Sequence, residues 1–426
     1  MTLVKFASVH KKEIIFLLLL AAYIFLRFFD IEKRAVFGWD QVVNSWVVKD
    51  MILFGHRPLL GMIAKANTGF YIGPGFYYLL LPFYYVFRLD PIAGQVFAGV
   101  VSVISFIIFF LISDKIFRGK IALIASFIYT FSSHVLIFDR IPWPVIFIPV
   151  TSIVIFFSLW KVLNGEAKYL LLAAATVGFA FHTHFTAIYY VIIISILMPW
   201  ILWKIPNAWI RLFQSIPLFL LFLIPNFIAE INAKFMYAHS MTGYLGSNYH
   251  GIHAQRIFQL SKDAFIEFLS ILEKMSFMKY IPIYYFILPG LFIYLLFRKN
   301  EIRLVVLTIL WFTVPWIVMS VYRGEITNYY FSITRPLVVI IIAYVSVETI
   351  KINKYIFSIV MLFLALYFTY ININQYLKSS LSKLPGQKEY VKKIIREGKM
   401  IEFNPIEPEP YLYEIYNNVW GITGNE

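Results

Sequence analysis

Eleven apolar stretches, each near the length an α-helix needs to cross a bilayer, recur along the 426 residues. They lie at 13–29, 91–112, 121–138, 145–162, 169–184, 185–203, 208–228, 280–297, 302–321, 336–350 and 354–372. A spanning helix takes about 20 largely apolar residues, fewer where flanking charges reach back to the interface. No water-facing fold can hide that many. Hydrophobic residues make up 60% of the chain and charged ones 14%, where soluble domains carry about 25%. The missing solvent is lipid, so the chain reads as an all-α polytopic membrane protein. The first stretch ends on Arg27 and Asp30 with no small-residue cleavage site, and reads as a span rather than a removable signal. Tyr77–Phe87 is apolar but too short to span, and reads as a re-entrant or interfacial helix.

Charge orients the eleven spans. With Lys5, Lys11 and Lys12 in the cytoplasm, the short inner loops hold Lys115, Arg118, Lys120, Lys161, Lys168, Lys204, Arg211, Arg298, Lys299, Arg303, Lys351 and Lys354. The short outer loops hold only Arg140, Arg323 and Arg335. This is the positive-inside bias, and counting Tyr77–Phe87 as a span would destroy it. It also accounts for the net charge of +14 without nucleic acid as a partner, alongside attraction to anionic membrane lipids. The N-terminus is expected in the cytoplasm and the C-terminus outside. The chain then divides into a membrane domain, 1–372, with outer loops 30–90 and 229–279, and a small outer tail, 373–426. With no cysteine, disulfides, thiol catalysis and thiolate-held metals are excluded.

The polar chemistry gathers outside: seven of the eight histidines, all but His10, lie in outer segments or at outer helix ends. Trp39, Val42, Val43, Trp46 and Val47 recur at helical spacing opposite Asp40, Gln41, Asn44 and Ser45, the pattern of an interfacial amphipathic helix. Asp40 opens it, either as a plain N-cap or as a carboxylate held at the membrane surface as a general base. Gly73-Pro74-Gly75 marks a tight turn into Tyr77 and Tyr78. His182 and His184 lie two apart at an outer helix end, as phosphate-facing groups or as interfacial caps. Asp139 precedes Arg140, as a second acidic group or as that arginine's ion partner. Arg323, Tyr329 and Tyr330 fall in a later outer loop, suited to phosphate and equally to headgroup anchoring. His250 and His253 lack further ligands at useful spacing, so no metal site is assigned. Residues 254–275 read as a second interfacial helix, and Glu389–Arg396 as an amphipathic helix in the tail.

In order, these features resemble the GT-C membrane glycosyltransferases, the superfamily of protein O-mannosyltransferases and aminoarabinose transferases. The resemblance rests on Trp39-Asp40 after the first span, Gly73 to Tyr78, the basic hairpin Asp114 to Lys120, Arg140 to Pro149, and Gly178 to Thr186. It covers roughly residues 1–205 well and the rest by architecture. It implies a GT-C-like fold of about eleven transmembrane helices with extracytoplasmic interfacial helices. It also implies a polyprenyl-phosphate-linked sugar as donor and Asp40 as the base, with Asp139 a candidate second carboxylate. His184 matches the family's basic residue at that helix end, where a nearby phosphate would favour an imidazolium. His182, Arg140, Arg323, Tyr78 and Tyr329 are the further candidates for substrate contact. Two departures stand out. Ile72 and Gly73 replace the lysine that aminoarabinose transferases carry before a Pro-Pro turn, and Pro142-Trp143-Pro144 stands where their second carboxylate follows a proline. No cofactor is assigned, and a divalent cation stays open.

The expected function is transfer of a hexosyl or pentosyl group from a polyprenyl phosphate to a lipid, protein or glycan outside the cytoplasm. The alternatives are a transporter or flippase, or a non-catalytic binding subunit, for a lipid-linked glycan. A transporter would show repeats and midplane charges, and the sequence shows neither. Abundant Ile, Lys, Phe and Tyr point to an AT-rich prokaryote, and hence to its inner or plasma membrane.

Overall fold

A computed structural model describes residues 10–63, 69–248, 259, 282–321, 327–379 and 381–421. Each of the eleven apolar stretches folds as helix over most of its described residues. Seven helices among the described residues are long and apolar enough to cross a membrane: Ile92–Phe117, Pro144–Leu163, Phe185–Lys204, Ala208–Asn232, Ile302–Ser320, Tyr329–Ile350 and Lys354–Lys378. The other four stretches give shorter helices: Lys11–Phe28, Gly119–Phe131 followed by Ser133–Phe138, Tyr169–Ala180, and Pro282–Arg298. Ser132 breaks the second of these by turning its hydroxyl to accept from the Val135 amide, a side-chain cap that starts a new helix.

Packing sorts the helices into centre and rim. Tyr329–Ile350 is buried along nearly its whole length, while Ala208–Asn232 and Lys354–Lys378 leave most of their apolar surface uncovered. Uncovered Leu, Ile and Phe on such helices is the surface that lipid replaces water against. The two ends of the bundle differ chemically. At one end Lys12 pairs with Asp114 at 2.9 Å, Arg303 donates to Asn164, and Glu348 takes both Lys299 and Lys351. The hairpins that the sequence assigns to the cytoplasm therefore share one end.

The opposite end carries a second hydrophobic core. The helices Trp39–Phe54 and Gly75–Val86 and the start of Ile92–Phe117 pack there with the tail helices Leu384–Arg396 and Pro408–Tyr413. Gly75–Val86 belongs to this layer, as its length predicts. Lys388 bridges Glu32 and Asp90, the Tyr411 hydroxyl donates to the Leu89 carbonyl, and the Trp420 indole donates to the Arg88 carbonyl. The tail thus builds on the first outer segment. Its boundary also shifts, because the preceding helix runs unbroken to Lys378 rather than ending at 372. His250, His253, most of 254–275 and Arg323 lie outside the described residues.

Candidate active site

Gly38, in extended conformation, caps the helix Trp39–Phe54, and Asp40 is its second residue. The N-cap reading of Asp40 therefore fails. Its half-buried carboxylate makes no hydrogen bond or ion pair among the described residues, and burial pushes its pKa up from the usual carboxylate range. The nearby group is Tyr77, whose phenol is pushed up by burial and then by the Asp40 charge. Tyr77 is the missed neighbour. Tyr78 instead turns about 100° around its helix and donates to the Pro58 carbonyl at 3.1 Å.

The fold buries the polar face of this helix as well as part of its apolar face. Gln41, Asn44 and Ser45 are buried with Val42 and Val48, while Trp39 is exposed. Ser45 shares a 2.6 Å hydrogen bond with the Tyr84 hydroxyl, and Trp46 packs against Phe403 and Tyr411 of the tail. A sequence pattern cannot tell lipid from the covering tail, which is why the polar face reads as exposed. Asn44 lies one helical turn beyond Asp40, on the same face. It is 1% exposed, and neither its Oδ1 nor its Nδ2 has a partner among the described residues.

His182 explains Gly73-Pro74-Gly75. Its Nδ1 accepts from the Gly75 amide at 2.9 Å and its Nε2 donates to the Phe222 carbonyl at 2.7 Å, so the neutral ring bridges the turn and the helix Ala208–Asn232. A Cβ on Gly73 would collide with Nδ1, and one on Gly75 would approach it at 3.0 Å. Glycine is required here for close approach. Gly73→Ala is expected to cost about 1–3 kcal/mol, the usual penalty of overpacking. Thermal unfolding in detergent measures it, and adding His182→Ala should restore part of the loss. Additive losses would show that the ring is not what the methyl meets.

His184 corrects the imidazolium expectation. The turn that carries it lies beyond the helix ending at Ala180, enclosed by Phe185, Tyr329 and Tyr330 at ring distances of 4.3, 5.6 and 5.4 Å. Its Nδ1 accepts from the Thr186 amide and so caps the short 3₁₀ turn Phe185–Ala187. Burial drives its pKa from the ordinary 6.5 to about 3, so the ring is neutral with the proton on Nε2. A base whose folded-state pKa is depressed lends stability above 6.5 that is lost as pH falls toward 3. The thermal midpoint should therefore fall on acidification through that window, and His184→Asn should flatten the fall. An unchanged slope in the variant would place the loss elsewhere.

Two further candidates are committed to structure. Asp139 does not pair with Arg140. Its Oδ2 accepts from Arg27 Nη2 at 2.9 Å and from the Tyr23 hydroxyl at 2.5 Å, and the Arg27 guanidinium stacks 3.5 Å over the Tyr23 ring. Arg140 Nη1 donates to the Leu26 and Phe29 carbonyls and to the Tyr376 hydroxyl. It ties the end of the first helix to the last span, and burial lowers its pKa. Asp139 is thus held by Arg27 and Tyr23 rather than by Arg140, and Arg140 is held largely by carbonyls, with its Nη2 left without a hydrogen-bond partner among the described residues. Arg335, fully buried, donates from Nη2 to Ser332 and His134 and lies 3.6 Å over the Phe138 ring. Tyr329 joins His184 to Trp143, whose ring is 5.3 Å away.

Among the described residues no group of three or more His, Cys, Asp or Glu is placed to hold a metal ion. No step below is routed through a metal.

No family model and no curated protein sequence matches the chain. Solved structures do. ArnT from Cupriavidus metallidurans bound to undecaprenyl phosphate superposes with a TM-score of 0.57 at 11% identity, over 93% of this chain and 74% of that one. The oligosaccharyltransferase of Archaeoglobus fulgidus, in complex with Zn and sulfate, gives 0.61 at 14% identity, over 94% of this chain and 57% of that one. The same archaeal enzyme, AglB, in complex with an inhibitory peptide and a dolichol-phosphate gives 0.59 at 11% identity, over 96% and 60%. The fold is that of the GT-C membrane glycosyltransferases. At such identities the likeness establishes the GT-C fold and carries no residue role across.

Proposed function

We propose that the protein is an integral membrane glycosyltransferase that moves one sugar from a polyprenyl phosphate to an extracytoplasmic lipid, protein or glycan. The observation that carries this reading is Asp40, a carboxylate without partner among the described residues, raised in pKa by burial, in a chain of GT-C fold. ArnT and AglB were solved with undecaprenyl phosphate and dolichol-phosphate respectively, which supports a lipid phosphate as the leaving group here.

In the simplest mechanism Asp40 accepts the proton of the attacking hydroxyl as it displaces the lipid phosphate from the anomeric carbon, with inversion. Raising the pKa of the base toward the working pH strengthens it as a proton acceptor. The transition state has oxocarbenium character, and Asn44, one turn from Asp40, is placed to orient the carboxylate or the incoming hydroxyl. The departing phosphate gains charge and needs fixed donors. Tyr329, the Nε2–H of neutral His184 and Arg323 are the proposed ones. His182 acts indirectly, by holding the turn that leads into Tyr77. The site is proposed to face outward, with the lysine-rich end in the cytoplasm.

Purified protein in nanodiscs, given a panel of radiolabelled polyprenyl-phosphate sugars and a membrane extract, should release free polyprenyl phosphate from one of them. Tight donor binding without release from any would replace the transferase with a carrier or accessory subunit.

A further inference from the structure

The end of the bundle that carries the tail also carries exposed cations where helices leave the membrane. The helix Lys354–Lys378 keeps most of its apolar surface uncovered. Its 25 residues rise about 37 Å at about 1.5 Å each, against about 30 Å of hydrocarbon, so its ends stand at headgroup depth. Hydrogen bonds stitch its last turn to the segment after the first helix. Arg34 Nη1 donates to the Tyr376 carbonyl at 2.9 Å and to Ser379 Oγ at 3.2 Å, and its Nη2 donates to the Leu377 carbonyl at 3.2 Å. The Ser382 amide donates to the Lys33 carbonyl at 2.7 Å. Lys33, Lys378 and Lys383 are thereby gathered at one corner, and all three are exposed.

More positive charge lies close by. The Arg34 and Arg140 guanidinium carbons stand 4.6 and 5.8 Å from the centroid of the Tyr376 ring. The described acids of the corner do not offset it. Glu32 is taken by Lys388 at 2.9 Å, and Asp30 lies 3.9 Å from Lys33, an exposed pair of little strength. Uncovered apolar side chains border the lysines: Leu377 is 49% exposed and Leu381 58%. Cations just beyond a span at this end run against the lysine bias that sorts the short loops, so topology does not account for them.

We infer that this corner docks the headgroup of an anionic bilayer phospholipid. The three ammonium groups take its phosphodiester, and Leu377 and Leu381 take the first methylenes of its acyl chains. Lysine suits the task, because its flexible stem lies along apolar surface while its charged tip reaches the headgroup. The adjoining leucines favour a lipid over a free phosphate, which has no apolar part to seat. A lipid held here touches the ends of both the first helix and the last span, and so stabilises the fold. Docking at this corner does not depend on the transferase reading.

Native mass spectrometry of the full chain, released from micelles carrying phosphatidylglycerol or phosphatidylcholine with the same acyl chains, tests it. The wild type should hold phosphatidylglycerol more tightly than phosphatidylcholine, and the difference should shrink as ionic strength rises. Lys33→Ala/Lys378→Ala/Lys383→Ala should bind phosphatidylglycerol at least about tenfold more weakly, since each cation at an anionic surface is worth about fivefold. Arginine at the same three positions should restore binding, and Leu377→Gln/Leu381→Gln should weaken it. Lys393→Ala/Lys399→Ala, which removes tail lysines paired with Glu397, should leave it unchanged. Added phosphatidylglycerol should raise the thermal midpoint more in the wild type than in the triple alanine variant, while without lipid the two midpoints should agree. Equal binding of phosphatidylglycerol by the wild type and the triple alanine variant overturns the inference, as does equal binding of the two lipids by the wild type. Displacement of phosphatidylglycerol from the wild type by inorganic phosphate, or by an equal concentration of polyprenyl phosphate, also overturns it, assigning the corner to a free anion or to a substrate lipid.

Discussion

Asp40→Asn is expected to lower sugar transfer by about 10²–10⁴-fold, the contribution of a positioned general base, and to raise the thermal midpoint. Both effects come from one cause. Asp40 is half-buried, unpartnered among the described residues and raised in pKa by burial. A carboxyl whose folded-state pKa is raised favours the protonated form in the fold, so ionisation costs stability as pH climbs from 3.8 through the folded value. Above the folded value the whole penalty is present, and asparagine does not bear it. The acid limb of the wild-type pH–rate profile should have its midpoint above 3.8 and be absent from the variant's residual rate. Donor binding should survive, since the substitution removes a proton acceptor and not a phosphate contact. Unchanged transfer by Asp40→Asn would remove Asp40 as the base.

Asp139→Ala is expected to act in the opposite sense, costing about 3–5 kcal/mol of stability, the usual consequence of removing one partner of a buried ion pair. It strips the Arg27 guanidinium, 1% exposed, of its carboxylate and leaves it between the Tyr23 ring and the Thr130 carbonyl. Arg335, fully buried close by, loses part of its compensation as well, because Asp139 acts on it electrostatically. Pairing the change with Arg27→Met should recover much of the loss, because an apolar pair of similar volume often does as well as a buried salt bridge. Equilibrium unfolding of the single and double variants measures the coupling. Whatever fraction of Asp139→Asn folds should transfer sugar at the wild-type rate. A well-folded Asp139→Asn without activity would return Asp139 to catalysis.

The proposed chemistry at this end of the bundle is read from few residues, and the fold explains why those few were hard to choose. Asp40 and Asp139 look alike in sequence: acidic residues at the outer edge of an apolar stretch, each beside an aromatic or basic neighbour. They differ only in what the chain brings to them. Asp139 meets Arg27 across 112 residues, while Asp40 meets no cation among the described residues. Arg140 was offered to Asp139 as an ion partner for the same reason, since the nearest charge in sequence is not the nearest in space. Asn44 carried a signal that could have been used, namely its place one turn from Asp40.

What the sequence determines by itself is local and periodic. Runs of apolar residues set where helices form, proline and glycine set where they stop, and the lysine bias sorts the loops to two ends. Each needs only neighbours within a few turns, so each survives without knowledge of the fold. Tertiary structure alone decides which polar groups are satisfied. The tail from 379 onward covers the helix that carries Asp40, Phe181–His182 fills the space that Gly73 and Gly75 leave, and an aromatic cage strips His184 of its charge. Charge state and free hydrogen-bonding capacity depend on burial and on partners far away in the chain. These two properties separate a catalytic carboxylate from a structural one, and three-dimensional packing sets both.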